Sequence, residues 1–220
     1  MLHAVTTTQA TERRMTPTFP DVTLATERLV LRRYEEADQP ALTAMMDDEL
    51  TAAWTSVPAP YSAVDAREWI ARFAPAERDE GRGIVFAVAD HLTQRLVGSV
   101  HLMKTNWRVR SAEIGYVVAP WARGEGYAVE SVLAVARWLF GEQGFERMEL
   151  RTAAGNTASQ QVALKIGCLS EGVLRSAGMV RTRTEDGRWA EVRTDVIVWG
   201  LLPEDLEDLD DLGPVGEAVA

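Results

Sequence analysis

The stretch Trp121-Ala122-Arg123-Gly124-Glu125-Gly126-Tyr127-Ala128 places two glycines two residues apart, just before a run with helical apolar spacing. Glycine at 124 and 126 permits positive φ, or close approach of a ligand to the backbone. A helix that starts there offers unpartnered N–H groups and about half a unit of positive charge. Together these features make an anion site suited to a phosphate or diphosphate. A tight strand-to-helix turn with no ligand would use the same residues. The P-loop pattern is absent, because no Lys-Ser/Thr pair follows Gly126. A dinucleotide fingerprint would want a third glycine where Val129 stands, and an acid where Arg151 and Thr152 stand. A nucleotide that carries a diphosphate but needs no acid to grip its ribose fits better, and coenzyme A is such a nucleotide.

Other residues could do chemistry around that turn. Glu113 lies two residues before Gly115 on a strand-like run, where a carboxylate is either a general base or a solvated charge. Asn156 opens a short helical pattern and is a good helix N-cap as well as a possible ligand contact. Ser159 follows it by three residues. The histidines His3, His91 and His101 are scattered without metal-ligand spacing, so no metal is expected. His101 lies on a strand, where it either lines a cleft or is structural. The single cysteine, Cys168, excludes an internal disulfide, a zinc ribbon and a CxxC redox pair, and reads as a small buried hydrophobe.

These residues need elements to position them. Segment 23–34 (TLATERLVLRRY) reads as a first strand, and 38–48 as a helix with Leu42, Met45 and Met46 at helical spacing. Segment 51–62, with two prolines, reads as a loop. Ser62 caps a helix over 63–74 that ends near Pro75. Segments 83–90, 95–104 and 111–118 read as an antiparallel meander. The glycine turn then opens a helix over about 126–140. Its buried stripe is expected at Val129, Val132, Leu133, Ala136 and Phe140. A strand over 147–152 completes a βαβ unit. A short helix over 157–166 and two strands near 169–178 and 190–200 follow. The expected fold class is α/β (α+β): a mixed, mostly antiparallel twisted sheet flanked by helices.

The chain has 220 residues and a net charge of −10. It is 46% apolar and 25% charged, which fits a globular domain and excludes wholesale disorder. Seven acids and no base fall in residues 203–220, leaving −3 for residues 1–202. No basic patch argues for nucleic-acid binding. No apolar run is long enough to span a membrane, and residues 1–20 lack the hydrophobic core of a secretory signal, so a cytoplasmic location is expected. The expected organisation is a flexible N-terminal segment over 1–21, one domain over 22–202, and a solvated acidic tail over 203–220. Met15 is an alternative start to Met1.

Three segments carry a family resemblance: TERLVLRRYEEAD (26–38), SAEIGYVVAPWARGEGYAVES (111–131) and NTASQQVALKIGCLSEGVLR (156–175). In order and spacing they resemble the GNAT superfamily of acyl-CoA-dependent N-acyltransferases. The similarity is greatest to the branch of ribosomal-protein N-terminal acetyltransferases of the RimJ/RimL type, and covers about residues 22–202. The resemblance implies acetyl-CoA, or another acyl-CoA, as co-substrate. The diphosphate would meet the backbone of Arg123, Gly124, Glu125, Gly126, Tyr127 and Ala128, with Arg123 adding positive charge. Trp121 departs from the Gln/Arg that opens the family's turn. Tyr116 and Val118 would offer backbone hydrogen bonds to the pantetheine arm, which requires the strand over 147–152 to splay away. Asn156 would contact the same arm. The family's helix tyrosine, a general acid, is replaced by Ala163, so Ser159 is the candidate to assist the leaving thiolate. Glu113 would take the amine proton, and an amide near Val118 would meet the charge that develops on the thioester oxygen.

The acceptor implied is an amine, either a protein N-terminus or a small molecule. At pH 7 an α-amine of pKa ~7.8 is about 14% neutral and a lysine-type amine of pKa ~10.4 only about 0.04%, so the second needs far more help from a base. Loops 51–62, 104–110 and 179–190, with Trp54, Tyr61, Trp107 and Trp189, are expected to frame the acceptor. The branch also implies a possible homodimer. A non-catalytic acyl-CoA-binding protein on the same fold is the alternative function.

Overall fold

The computed structural model describes residues 16–206. One eight-stranded sheet organises the chain, in the order β1-β2-β3-β4-β5-β6-β8-β7. Its strands are β1 Leu24–Ala25, β2 Leu29–Arg32, β3 Ile84–Asp90, β4 Leu96–Asn106, β5 Ser111–Val118, β6 Arg147–Ala153, β7 Leu169–Arg183 and β8 Trp189–Leu201. Every pairing is antiparallel except β5 with β6. The helices are α1 Gln39–Met46, α2 Glu49–Trp54, α3 Ala63–Glu68, α4 Ala74–Asp79, α5 Tyr127–Gly141 and α6 Thr157–Lys165. The mixed class and the βαβ unit read from the sequence are both present.

The parallel pair is the feature that makes a site. Ser111 to Ile114 pair with Arg147 to Leu150, and the pairing stops there. Beyond it β5 stays bonded to β4 as far as Val118, opposite Gly98. Meanwhile β6 stays bonded to β8 as far as Ala153, opposite Val196. The β6-facing backbone groups of residues 115–118 therefore have no strand partner. A buried orphan amide or carbonyl is costly, so such an edge is a template for something extended.

Several boundaries differ from the sequence reading, each for a local reason. Segment 23–34 is not one strand. Thr26 accepts the Leu29 amide on its hydroxyl (2.9 Å) and donates its own amide to Leu29 O (2.9 Å), turning the chain into a short hairpin. Residues 49–54, read partly as loop, form α2, because Asp48 caps it by accepting the Thr51 amide at 2.9 Å. The helix over 63–74 runs on past Pro75. A π-helical segment, Trp69–Phe73, intervenes before α4, and a wider turn there relieves the contact between a proline ring and the carbonyl four residues back. On α5 the buried face is Val132, Val135, Ala136, Trp138 and Leu139, while Val129, Leu133 and Phe140 are half-buried. The expected stripe was centred about one residue off.

The expected flexible segment 1–21 is corrected over its described part. Phe19 is 2% exposed and packs against Trp107, Trp138 and Phe145, with ring centroids 4.7, 5.5 and 5.4 Å away. A buried phenylalanine contributes about 1.5–3 kcal/mol, enough to fix the backbone around it. At the other end Leu206 is also buried, and Asp205 accepts the Leu202 amide at 2.8 Å. The expected acidic tail thus begins as packed structure. Its remainder, 207–220, and the alternative start at Met15 lie outside the described residues.

Candidate active site

Two chambers flank the splay and meet at its mouth. The first, of about 410 Å³, runs along the start of α5 and is lined by Val118, Gly124, Gly126, Tyr127, Ala128 and Val129 among others. The second, of about 680 Å³, lies over the sheet face that carries Ser99, His101, Met103, Gly115 and Val117. Trp54, Thr55, Tyr116, Val117, Asn156 and Ser159 line both. Any ligand passing from one chamber to the other must pass these side chains.

The glycine turn has the conformation its sequence implies. Gly124 has φ 87° and Gly126 φ 80°, values that L-residues with a Cβ rarely adopt. A Cβ at Gly124 would meet nothing within 4 Å, so the space above it is open. Gly126 forms the N-cap of α5 with no side-chain cap, and Glu130 is the residue whose amide reaches Gly126 O, at 3.1 Å. The N–H groups before it are left for a ligand. The turn is held from behind. Arg28 donates to Glu125 O (3.0 Å) and to Glu130 Oε2 (2.7 Å), and stacks 4.9 Å over the Tyr127 ring. That carbonyl is tied back on Arg28, and Gly124, Gly126, Tyr127 and Ala128 line the first chamber. Trp121, the departure from the family pattern, anchors the turn's start: its Nε1 donates to Leu96 O at 3.1 Å, and Arg95 lies 4.6 Å over its ring.

Coenzyme A fits this donor set. Positive-φ glycines under open space, uncapped helix amides and an unpaired strand edge at 115–118 offer a diphosphate and a β-like arm what each needs. Arg123 lines the first chamber with its side chain already engaged. Its guanidinium is paired with Asp48, whose other contacts cap α2. Burial pushes the Asp48 carboxyl up, but hydrogen bonds from Arg123 and the Thr51 amide more than offset this and hold it below the usual carboxylate range. Arg123 therefore ties the turn to α2.

At the mouth, Asn156 accepts the Ser159 amide on Oδ1 at 3.1 Å, so its capping role is real and its NH2 remains as a donor toward the cleft. Ser159 Oγ lies 2.9 Å from the Tyr116 hydroxyl. Burial pushes the Tyr116 phenol up to about 12. Ala163 is fully buried, so no phenol comes from that position on α6. The sequence reading gave Tyr116 only a backbone role and missed that its side chain brings a phenol to the same place from the sheet. The alternation of β5 held the signal, since Ile114, Tyr116 and Val118 share one face. The Cys168 thiol is buried and burial pushes it up to about 12, which leaves it protonated and inert.

Glu113, the expected base, stands outside both chambers. Its Oε2 accepts from Lys104 Nζ at 2.8 Å and lies 3.4 Å from Arg151 Nε. It sits where β5 and β6 are still paired, opposite Glu149, and lines neither chamber. Of the four aromatic residues expected around the acceptor, Trp54 and Tyr61 line the second chamber. Trp107 instead donates to Gly81 O (2.8 Å) inside the Phe19 cluster, and Trp189 stacks under Arg183 at 4.1 Å, outside the chamber. Trp69, Phe73, Asp65 and Glu68 complete the chamber wall, none of which the sequence reading placed there. Among the described residues no group of three or more His, Cys, Asp or Glu could hold a metal, and no helix is long and apolar enough to cross a membrane.

Comparison with known proteins agrees with this geometry. Residues 28–169 match the model of the acetyltransferase (GNAT) domain. The uncharacterized N-acetyltransferase YoaA of Bacillus subtilis is 31% identical over 152 residues, covering 69% of this chain and 85% of that one. Among solved structures, RimJ of Mycobacterium smegmatis, crystallised with a CoA disulfide, superposes with a TM-score of 0.71 at 22% identity over 88% of this chain and 95% of its own. Spermidine N-acetyltransferase of Vibrio cholerae, crystallised with CoA and spermine, gives 0.67 at 21% identity over 83% and 99%. With a match spanning most of the chain and both halves of the splayed cleft, this protein belongs to the GNAT family of acyl-CoA-dependent N-acetyltransferases.

Proposed function

We propose that this protein transfers an acetyl group from acetyl-CoA to a small primary amine, with the donor in the first chamber and the acceptor in the second. The observation that carries the reading is the mouth itself: Tyr116, Asn156 and Ser159 line both chambers at the point where β5 and β6 part. The co-substrate supplies an acyl carbonyl activated on sulfur. The amides of Gly124 to Ala128 hold its diphosphate, and the free edge of residues 115–118 holds its arm. Ser159, fixed by Asn156 and Tyr116, presents a hydroxyl where sulfur must leave. An amide near Val118 serves the charge on the carbonyl oxygen, a contact worth about 3–4 kcal/mol at comparable sites.

The second chamber supports a compact acceptor. Trp54, Tyr61, Trp69 and Phe73 suit an apolar or cationic body, and Asp65 and Glu68 suit a positive charge on entry. Spermidine N-acetyltransferase, a neighbour in fold, has an acceptor of this chemical kind. RimL, another neighbour in fold, bears the name of a ribosomal L7/L12 α-N-protein acetyltransferase, which makes a protein N-terminus the other acceptor of the same reaction. We also propose a homodimer, since β7 is an edge strand with Val173, Leu174 and Met179 exposed; light scattering reads the mass. Thiol release from acetyl-CoA across a panel of polyamines, arylalkylamines and N-terminal peptides tests the activity. Turnover with a compact amine supports the reading. CoA binding with no turnover would make the chain a binding protein instead.

A further inference from the structure

We propose that His101, held by Glu77, is the base that takes the proton from the attacking amine. The assignment rests on the acyl-transfer reading above and takes the role of base, which Glu113, bound to Lys104 and lining neither chamber, does not fill in it. His101 lies on β4 directly opposite Gly115, and Gly115 is the first residue past the last β5–β6 pair. Gly115 has no side chain to cover the imidazole. A Cβ there would meet only the end of Met103, at 3.0 Å. The ring therefore stands in the second chamber one strand away from the opening through which the thioester must reach.

A catalytic base also needs a fixed orientation and a free lone pair. His101 Nε2 lies 3.3 Å from Glu77 Oε2. Glu77 is itself gripped on its other oxygen by Arg82, with Nε at 3.0 Å and Nη2 at 2.9 Å. An ionised carboxylate can only accept, so the Nε2 proton is donated to Glu77 and Nδ1 keeps the lone pair. Trp69 closes one side edge-on, its ring centroid 6.1 Å from the imidazole. The charged groups around the ring are Glu77 and Arg82 from α4 and the loop after it, Glu113 from β5, Arg151 from β6, and Asp65 and Glu68 from α3. Burial lowers the His101 pKa against the opposing pull of Glu77, so the ring is neutral at pH 7. In the step, the amine nitrogen forms a bond to the acyl carbon and the carbon–sulfur bond breaks with its pair on sulfur. The nitrogen's proton goes to Nδ1, and the thiolate is protonated from the Ser159 side or solvent. Glu77 is a positioning residue in this scheme.

The test compares full-length wild type, His101→Gln and Glu77→Gln on arylalkylamines, which are charged at pH 7, and aryl hydrazides, which are neutral there. With His101→Gln, kcat/KM falls about 100-fold on the charged amines and less than about threefold on the hydrazides. On the charged amines the acid limb loses the part set by the imidazole and keeps only the part set by ionisation of the amine itself. With Glu77→Gln, the limb moves to lower pH, because a group that favours the protonated ring has been removed. Unchanged CoA binding by calorimetry shows that each variant is folded. If His101→Gln does not fold, His101→Asn and the Glu77→Gln limb shift decide. Full activity and an intact limb in the His101 variant would overturn this assignment alone, as would equal losses on both acceptor classes. Absence of any turnover by wild type would overturn the acyl-transfer reading with it.

Discussion

The hydroxyl of Tyr116, on the sheet, lies 2.9 Å from that of Ser159, on α6, across the mouth that joins the two chambers. Because burial pushes the phenol up to about 12, Tyr116 remains a hydrogen-bond donor at any pH at which the enzyme works. Donation from Tyr116 leaves the Ser159 proton free to point at the departing sulfur. Tyr116→Phe should lower kcat about tenfold, equivalent to one hydrogen bond of about 1.4 kcal/mol. The KM for acetyl-CoA should stay within about twofold. Ser159→Ala should cost at least as much, and the double variant little more than Ser159→Ala alone, since one group acts through the other. Steady-state kinetics on the three variants check this, and independent, multiplicative losses would contradict it.

The glycine turn makes a sharper distinction between folding and binding. At Gly124 a Cβ finds no steric neighbour, so Gly124→Ala pays only for the left-handed backbone, about 1–2 kcal/mol of stability. The same Cβ would stand in the path of the diphosphate, so CoA affinity should fall tenfold or more. Gly144→Ala is the control: φ is 64° and the space is equally open, but it lies past the far end of α5. It should lose similar stability and no CoA affinity. Thermal melts and calorimetry on the pair would show this; equal affinities would remove the turn from the binding site.

Asp48 links the turn to α2 and should make part of the stability acid-sensitive. Its carboxyl is held below the usual range, so the stability it contributes is present above its unfolded pKa of about 3.9 and is lost as pH falls through the folded value. Asp48→Asn keeps a capping side chain but not the charge. Its Tm should lie below that of wild type at pH 6 and converge with it below about pH 4. Asp48→Ala should lose about a further 1 kcal/mol with the cap. A gap between wild type and Asp48→Asn that does not change with pH would argue against the Arg123 pairing.

Glu113→Gln should retain activity within about threefold, because Glu113 faces Lys104 and Arg151 and lines neither chamber. Loss of 100-fold or more, with normal CoA binding, would restore Glu113 as the base.

Much of this was legible in the residues. The period-2 pattern of 111–118 and the glycines at 124 and 126 placed β5, the turn and α5 correctly, since local chemistry decides those conformations. Asn156 was legible as a cap because a helix start has few alternatives, whereas Ser159 was singled out by the family resemblance. What stayed hidden depends on contacts between distant segments. His101 gained its partner only when Glu77, twenty-four residues earlier in the chain, packed over β4. Arg123 lost its free charge to Asp48, seventy-five residues away, for the same reason. Phe19 looked like part of a polar lead-in until the sheet brought Trp107, Trp138 and Phe145 around it. Pattern alone gives a side chain its face, and only the assembled sheet gives it a neighbour.

A crystal structure of the protein with acetyl-CoA tests the whole account most directly. The diphosphate should rest on the amides of Gly124 to Ala128, the arm should lie along residues 115–118, and the thioester sulfur should come within hydrogen-bonding reach of Ser159. A coenzyme bound elsewhere, such as in the groove between residues 23–28 and α5, or a β5–β6 gap left empty at saturating ligand, would contradict it.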